Sequence, residues 1–145
     1  MIVERIKPDE IEKFIELREI FIEVFKSDAP ALNEQQYAQL RDNRNFVVVG
    51  ATVGFELVGG LTAYLVPNYY KGGLDLFIYD IAVKTEHQRK GVGIELLKFT
   101  KNFCLEHGIK EMYVAAEDND EQALSYYRKT DAEEIGARFF IYKFD

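Results

Sequence analysis

A loop at residues 88–93 constrains what this chain can fold into more than any other segment. It follows an apolar run typical of a buried strand, residues 76–83, and it precedes a helix-like run, residues 94–99. A strand that enters a helix through a glycine-containing turn is a ready anion site, because main-chain N–H groups and the positive end of the helix dipole point at the same place. The segment therefore predicts a strand–loop–helix unit that holds a phosphate.

The residue types in this loop favour the same interpretation. Gly91 and Gly93 lack a Cβ, so a phosphate can approach the main chain closely, and Arg89 and Lys90 add positive charge. A dinucleotide-binding fingerprint would need G-x-G-x-x-G directly after the first strand, and a Walker A loop would need G-K-[ST], whereas Ile94 follows the second glycine here. A glycine turn without a ligand is the remaining alternative.

Length and composition predict a single domain spanning residues 1–145. The chain is 48% apolar and 30% charged, an ordinary globular mixture with enough residues for a real core. The single cysteine, Cys104, excludes an internal disulfide, and its place in a helical pattern indicates a buried thiol. His87 and His107 have no Cys/His cluster around them, so we expect no metal site.

Charge and hydropathy narrow the choice of partners. A formal net charge of -7 argues against nucleic acid and suits a cationic small molecule or a basic peptide, although solubility alone also explains it. No apolar run reaches the ~18 residues of a membrane span, and early charged residues are unlike a signal peptide. We therefore expect a cytoplasmic protein that binds neither nucleic acid nor membrane.

Periodicity along the chain predicts the element order β-α-α-β-β-β-α-β-α-β. Strands are expected at residues 2–6, 46–49, 56–66, 74–83, 112–116 and 139–142. The first helix is expected to begin at an N-cap, Asp9, and the second to run from a capping box at Asn33 to about residue 40. The third helix is expected to run from the loop to His107, with Gly108 after it, and the fourth to span residues 121–130. Gly59 and Gly60 indicate close packing or a bulge. A mixed α/β sheet with helices on both faces is the natural packing of such an order.

The loop and this order together resemble the GNAT N-acetyltransferases. The spacing Q-x-x-G-x-G is similar to the acyl-coenzyme A pyrophosphate loop of that family, and the element order is that of its fold. The resemblance implies an enzyme that moves an acetyl group from acetyl-CoA to a primary amine. It also implies that the cofactor is held by the main chain of the strand and the loop, with Asn119 near the N-terminus of the last helix: Ile81, Ala82, Val83, Gln88, Arg89, Lys90, Gly91, Val92, Gly93 and Asn119.

Two residues are candidates for the proton transfers. Asp80 interrupts an apolar strand, where a carboxylate is costly unless it is paired or functional. We predict that it binds the acceptor ammonium and accepts its proton, directly or through water; a structural carboxylate paired with Arg or Tyr is the alternative. The GNAT pattern A-x-x-x-Y-x-K places Tyr127 where the family has the acid that protonates the departing thiolate, and simple packing is the alternative.

The resemblance is narrower to the aminoglycoside 3-N-acetyltransferases. It is carried by residues 58–64, 78–83, 86–89, 116–118 and 127–129, and most of all by the pair Tyr79-Asp80. It implies a polycationic acceptor acetylated at its 3-N position. We expect Tyr79 and Asp80 to bind this acceptor, together with the acidic residues around the last helix: Glu117, Asp118, Asp120 and Glu134. For these four acidic residues, a solvated acidic face is the alternative.

The chain departs from the family pattern after this helix. Where the family has Y-x-K-L-G, Thr130 and Asp131 stand in place of the leucine and glycine, and Asp adopts a left-handed turn less readily than Gly.

Two further functions stay open at this level. One is acetylation of a polyamine, an amino sugar or a peptide amine, since one fold supports many acceptors through its loops. The other is a non-catalytic acyl-CoA-binding module. The apolar C-terminal run, residues 139–144, is compatible with a homodimer formed by strand pairing, and equally with an ordinary edge or core strand.

Overall fold

The computed structural model describes residues 1–144. Its elements, in chain order, are β1 Ile2–Arg5, α1 Ile11–Phe25, α2 Glu34–Asp42, β2 Phe46–Val53, β3 Glu56–Pro67, β4 Leu74–Val83, a 3-10 turn Thr85–His87, α3 Val92–Glu106, β5 Met112–Val114 and α4 Glu121–Arg128. None of the helices in this described part has both the length and the apolar character that a transmembrane span requires.

The five strands form one mixed sheet in the order β1-β2-β3-β4-β5. The first four strands pair antiparallel, whereas β5 lies parallel to β4 after the α3 crossover. The β4–β5 ladder pairs Leu76 with Met112, Phe77 with Tyr113 and Ile78 with Val114. Within the described residues, the rest of β4 continues to Val83 without a β5 partner.

Both faces of the sheet are buried. Val48 belongs to a core cluster with Phe14, Leu17 and Ile20 of α1, while its neighbours Val47 and Val49 are equally buried. Because successive side chains in a strand point to opposite faces, Val47 and Val49 face away from α1. Helix α3, which packs against β1 to β4, covers that second face.

Gly60 and Gly59 mark close packing in β3, as predicted. A Cβ on Gly60 would lie 2.5 Å from the carbonyl oxygen of Val49 and 2.7 Å from Leu17 Cδ1, and one on Gly59 would lie 2.7 Å from the carbonyl oxygen of Ala82. The glycines therefore let the neighbouring strands and α1 approach β3 more closely than a side chain would allow.

The chain divides into two compact units, Met1–Val114 and Ala115–Asp145. The first contains the sheet with α1, α2 and α3. The second contains α4, whose N-cap Asp120 accepts a hydrogen bond from the Ala123 N–H at 3.0 Å.

The predicted closing strand at residues 139–142 is not formed. Phe139, Phe140, Ile141 and Tyr142 carry no strand geometry, and their exposed fractions are 76%, 80%, 73% and 81%. Aromatic and β-branched residues favour a strand, but a strand also requires a neighbour that takes its main-chain hydrogen bonds. In residues 1–144 the sheet ends at β5.

The predicted helix ends are confirmed in two cases and wrong in one. Asn33 and Gln36 form the reciprocal capping box of α2, and Gly108, with φ +65°, follows the C-cap His107 of α3. The N-cap of α1 is Glu10 rather than Asp9. The Glu10 carboxylate accepts a hydrogen bond from the Lys7 N–H at 2.7 Å and does not cap the helix itself.

Candidate active site

A β-bulge in β4 places Tyr79 and Asp80 on the same side of the sheet. Thr62 of β3 pairs with Asp80, but the next residue, Ala63, pairs with Ile78, so Tyr79 has no partner. The bulge interrupts the strict alternation of a strand, and two consecutive side chains can then face one cavity. Without the extra residue, Asp80 would share the face of Ile78, which is buried on the opposite side of the sheet.

The cavity on this side has a volume of about 280 Å³ and lies between the sheet, α1 and α2. We call it the Asp80 pocket. Its floor is made by side chains of β2, β3 and β4: Phe46, Val48, Thr62, Tyr64, Tyr79 and Asp80. Its walls are made by α1, α2 and the segment between them: Phe14, Leu17, Arg18, Phe21, Ile22, Phe25, Ser27, Leu32, Tyr37 and Leu40.

Asp80 lies partly buried in this floor, and within residues 1–144 its carboxylate has no hydrogen bond or ion pair. Burial raises the pKa of Asp80 above its ordinary value, because desolvation disfavours the charged form. A carboxylate with a raised pKa and no protein partner is suited to bind an ammonium and take its proton. The alternative of a structural pair with Arg or Tyr finds no such partner in the described residues.

Four aromatic rings in contact with one another form a row in the lining of the Asp80 pocket. The ring centroids of Phe14 and Phe46 are 5.9 Å apart, those of Phe46 and Tyr64 are 5.1 Å apart, and those of Tyr64 and Tyr79 are 5.8 Å apart. Burial raises the pKa of the Tyr64 phenol, with smaller contributions from Tyr79 and Asp80. The row provides flat, apolar surfaces next to one carboxylate.

The loop that follows β4 has the geometry of an anion site. Arg89 and Gly91 both adopt left-handed backbone conformations, with φ values of 59° and 85°. Nothing lies within 4 Å of the position that a Cβ on Gly91 would take. No side chain caps the N-terminus of α3 at Gly91, and Arg89 and Lys90 are exposed beside it. These features leave room and positive potential for a phosphate at the helix end.

The loop is tied to the strand that carries Asp80. The Gln88 side-chain amide donates a hydrogen bond to the Val83 carbonyl oxygen at 2.9 Å, and the Gln88 N–H donates to the Thr85 carbonyl oxygen at 3.3 Å. On the helix side, Val92 is buried. The predicted cofactor positions from Ile81 to Gly93 thus lie on one continuous strand–turn–helix segment.

Helix α4 carries the predicted acid in the second unit. Tyr127 and its neighbour Tyr126 are both partly buried, and their ring centroids are 4.9 Å apart. The pKa of Tyr126 is strongly raised by burial and by Tyr127. The helix ends without a left-handed residue: the Thr130 hydroxyl donates a hydrogen bond to the Tyr127 carbonyl oxygen at 2.6 Å, which replaces the turn that a glycine makes in the family pattern.

Two of the other predicted residues of the second unit, Asp120 and Glu134, contact their own unit. Asn119 precedes the N-cap, which is Asp120. The Arg128 guanidinium forms a two-pronged contact with both Glu134 carboxylate oxygens and holds the pKa of Glu134 below its ordinary value. Asp120 and Glu134 therefore have protein partners, whereas the Asp80 carboxylate has none in residues 1–144.

One cluster of possible metal ligands occurs in the described residues. Donor atoms of Glu56, Glu86 and His87 lie within 4.8 Å of one another. The Lys84 ammonium contacts Glu56 at 2.7 Å, so a lysine already balances part of the acidic charge. The cluster lies outside the Asp80 pocket, and its residues take no part in that site.

Most of the pocket wall was missed at the sequence level. In the sequence, Phe14, Phe21 and Phe25 show only the helical spacing of an apolar face, and Tyr64 lies within the strand predicted at residues 56–66. A signal did exist: α1 carries three phenylalanines, and Thr62 and Tyr64, two residues apart in β3, share one face of the sheet. The sequence does not reveal the bulge that brings Asp80 to that face.

Comparison with known proteins agrees with the fold. Residues 12–131 match the model of the acetyltransferase (GNAT) family. An aminoglycoside acetyltransferase from an uncultured soil metagenomic sample, solved in complex with trehalose, is 34% identical and has a TM-score of 0.91, with 98% of this chain and 95% of that chain covered. The same enzyme was solved in complex with sisomicin, with a TM-score of 0.89 over the same shares of both chains.

A curated relative also belongs to the acetyltransferases. Streptothricin acetyltransferase from Streptomyces lavendulae is 30% identical over 88 residues, which are 61% of this chain and 43% of that one. The match thus spans less than half the length of that relative. The fold, the strand–loop–helix segment and the match over residues 12–131 together lead to one conclusion: this chain belongs to the acetyltransferase (GNAT) family and is an N-acetyltransferase.

Proposed function

We propose that this enzyme transfers an acetyl group from acetyl-CoA to a primary amine of an aminoglycoside, at the 3-N position. The observation that carries the proposal is the partly buried Asp80 carboxylate, which has no protein partner in residues 1–144 and lies in an aromatic floor on the strand that leads into the anion loop. The sisomicin complex of a 34% identical aminoglycoside acetyltransferase supports the choice of acceptor.

The residues of the loop fit the phosphates of acetyl-CoA. Gly91 leaves open space at its Cβ position, and the uncapped end of α3 offers positive potential. In this proposal Gln88, Arg89, Lys90, Gly91, Val92 and Gly93 hold the diphosphate. The main chain of Ile81, Ala82 and Val83 has no β5 partner in the described residues, so it would be free to hold the pantetheine and to polarise the thioester carbonyl. Asn119 would hold the same cofactor.

The chain's own groups then move two protons. When bound, acetyl-CoA supplies a thioester whose C–S bond breaks as a C–N bond forms to the acceptor amine. Asp80 binds the acceptor ammonium and takes its proton, directly or through one water, so that the nitrogen lone pair is free to attack. Tyr127 donates its phenolic proton to the departing sulfur. The second proton that the nitrogen loses goes to the Tyr127 oxygen, directly or through water, so that CoA leaves as the thiol and the phenol is restored.

Recognition of the acceptor begins at Tyr79 and Asp80. Tyr79 is 63% exposed and offers a ring face next to the carboxylate, against which a sugar ring can pack. Further ammonium groups of an aminoglycoside would be attracted by the acidic residues Glu117, Asp118, Asp120 and Glu134. Since Glu134 already pairs with Arg128, we expect it to contribute least.

A thiol-release assay tests the proposal. Purified enzyme is given acetyl-CoA with gentamicin-like aminoglycosides, with spermidine, with glucosamine and with a lysine-containing peptide, and the product is located by NMR. We expect turnover of the aminoglycosides with acetylation of the 3-amino group. Acetylation at another amine would overturn the 3-N assignment, turnover of only the other amines would overturn the acceptor class, and cofactor binding without turnover of any amine would indicate a non-catalytic module.

A further inference from the structure

The charges of the Asp80 pocket differ from those expected for a polycation site. Of its lining residues, Asp80 is the single acid and Arg18 the single base, and the others are neutral, mostly aromatic or aliphatic. An Arg18 NH2 group donates a hydrogen bond to the Pro30 carbonyl oxygen at 2.8 Å, which holds the guanidinium beside the segment between α1 and α2. One carboxylate and one guanidinium leave the pocket without net negative charge.

The two charges do not form a pair. Asp80 and Arg18 share no ion pair in the described residues, and the pKa of Asp80 is raised by burial rather than lowered by Arg18. An ammonium at Asp80 is therefore favoured, whereas a second ammonium deeper in the pocket would meet a guanidinium and apolar side chains without a carboxylate partner. Such a buried, unpaired cation is costly.

The size and lining of the pocket indicate what accompanies the ammonium. A cavity of about 280 Å³ is slightly smaller than the ~300–1,000 Å³ common for small-molecule sites. Beyond Asp80, the walls consist of Phe21, Ile22 and Phe25 of α1 and Leu32 and Leu40 around α2. One ring fits such a space, and an apolar ring gains most by leaving water there.

We propose that the Asp80 pocket accepts primary arylalkylamines, with the ammonium on Asp80 and the aromatic ring between α1 and α2. This inference rests on the acetyl transfer proposed above and names a further class of acceptor for the same site. The reaction balances: the first ammonium proton passes to Asp80, the amine nitrogen bonds to the acetyl carbon of acetyl-CoA as the C–S bond breaks, and the second nitrogen proton compensates for the one that the departing sulfur takes up, so that CoA leaves as the thiol. A larger polycation can place a single ring in the pocket and leave its other amines outside.

The test compares an amine that carries an aromatic ring with the same amine without the ring, and with a polyamine. Values of kcat/KM are measured with acetyl-CoA for 2-phenylethylamine, for ethylamine and for spermidine. We expect 2-phenylethylamine to exceed ethylamine by roughly tenfold or more, since even small apolar groups give such factors in a matching pocket, and we expect spermidine to show no advantage over ethylamine. Equal values for 2-phenylethylamine and ethylamine would overturn the inference.

A matched pair of variants locates the ring. Phe25→Ala shortens a wall residue that is 48% exposed, so the fold should tolerate the change. Phe55→Ala makes the same change at a fully exposed position in the turn between β2 and β3, outside the pocket. We expect Phe25→Ala to raise the KM for 2-phenylethylamine about fivefold without changing ethylamine, and Phe55→Ala to change neither. Equal effects of the two variants would contradict the placement of the ring.

The outcomes separate this inference from the proposed function. Turnover of aminoglycosides without turnover of 2-phenylethylamine would overturn the inference and leave the proposed function intact. Turnover of 2-phenylethylamine alone would support the inference and overturn the aminoglycoside assignment. Binding of acetyl-CoA with turnover of neither class would overturn both.

Discussion

Asp80 is exposed to the pocket because of its neighbour. Tyr79 is the unpaired residue of the bulge, and its insertion turns the next side chain to the face of Thr62. The result is a carboxylate that is partly buried, lacks a protein partner in residues 1–144, and titrates above its ordinary pKa. A residue that contributed to stability alone would be expected to have a partner.

Asp80→Asn should separate function from stability. We expect turnover to fall by roughly 10²-fold or more, as for a lost general base, while the variant stays at least as stable as the wild type at neutral pH. Because the folded state raises the pKa of Asp80, the proton it binds stabilises the fold below the ordinary pKa, and that contribution is lost as pH rises through the raised pKa. Thermal unfolding at several pH values measures the difference in stability between Asp80→Asn and the wild type, and this difference should shrink towards about pH 4.

The pH profile of the wild type provides the control for this variant. The kcat/KM should fall as pH drops through the raised pKa of Asp80, because the protonated carboxyl cannot accept a proton. Normal turnover in Asp80→Asn would remove this residue from the mechanism. A clear loss of stability at neutral pH would instead assign the carboxylate a structural role.

Tyr127 and Tyr126 form a natural pair of matched variants. Each can be changed to Phe, which removes one hydroxyl and keeps a ring in place next to the other at 4.9 Å. If Tyr127 protonates the sulfur, Tyr127→Phe should lower kcat by roughly tenfold or more with little change in the KM for acetyl-CoA, whereas Tyr126→Phe should retain activity. Equal activity of Tyr127→Phe and the wild type would assign Tyr127 to packing.

At the scale of elements, β3 is the strand on which the site is built. It pairs with β2 on one side and with the bulged β4 on the other, and its glycines let α1 lie close to the sheet. The distance between α1 and the sheet sets the width of the Asp80 pocket, since Phe14 and Leu17 of α1 form part of its wall. Close packing at β3 is thus a condition for the site as well as for the fold.

Gly60→Ala tests this packing. The new Cβ would meet the Val49 carbonyl oxygen at 2.5 Å, and main chain cannot move aside as a flexible side chain does. We expect a loss of about 1–3 kcal/mol in the free energy of unfolding, as for other overpacked cores, measured by urea denaturation. Gly136→Ala is the control, since nothing lies within 4 Å of its Cβ. Equal stability of the two variants would contradict the account of β3.

At the scale of the whole molecule, the sequence predicted the α/β class, the mixed sheet and the strand–loop–helix segment. These features depend on local patterns: the apolar run before the loop, the two glycines, and the helical spacing after them. The parallel strand at residue 112 and the capping box at Asn33 also follow from such patterns, and the structure confirms both.

What the sequence did not predict depends on tertiary neighbours. The prediction of a closing strand at residues 139–142 was wrong because apolar β-prone residues do not by themselves supply a sheet edge to pair with. The pocket walls were not predicted because an apolar stripe on a helix has the same spacing whether it faces a core or a cavity. The bulge at Tyr79 shifts register by one residue, which no alternation pattern reveals. The homodimer stays a prediction, with the exposed apolar residues 139–144 as its candidate surface.

The affinity for acetyl-CoA, measured by isothermal titration calorimetry, tests the central claim most directly. Gly91→Ala places a methyl group in the open space at the end of α3, and Gly54→Ala makes the same change at φ +62°, also in open space, in the turn between β2 and β3. The two variants share the cost of a left-handed alanine, so thermal unfolding should shift similarly in both.

We expect the folded wild type to bind one acetyl-CoA, Gly91→Ala to bind it at least about fivefold more weakly, a change of about 1 kcal/mol, and Gly54→Ala to match the wild type. Absence of binding to the folded wild type, or equal affinities of the two glycine variants, would contradict the assignment of the loop as the phosphate site.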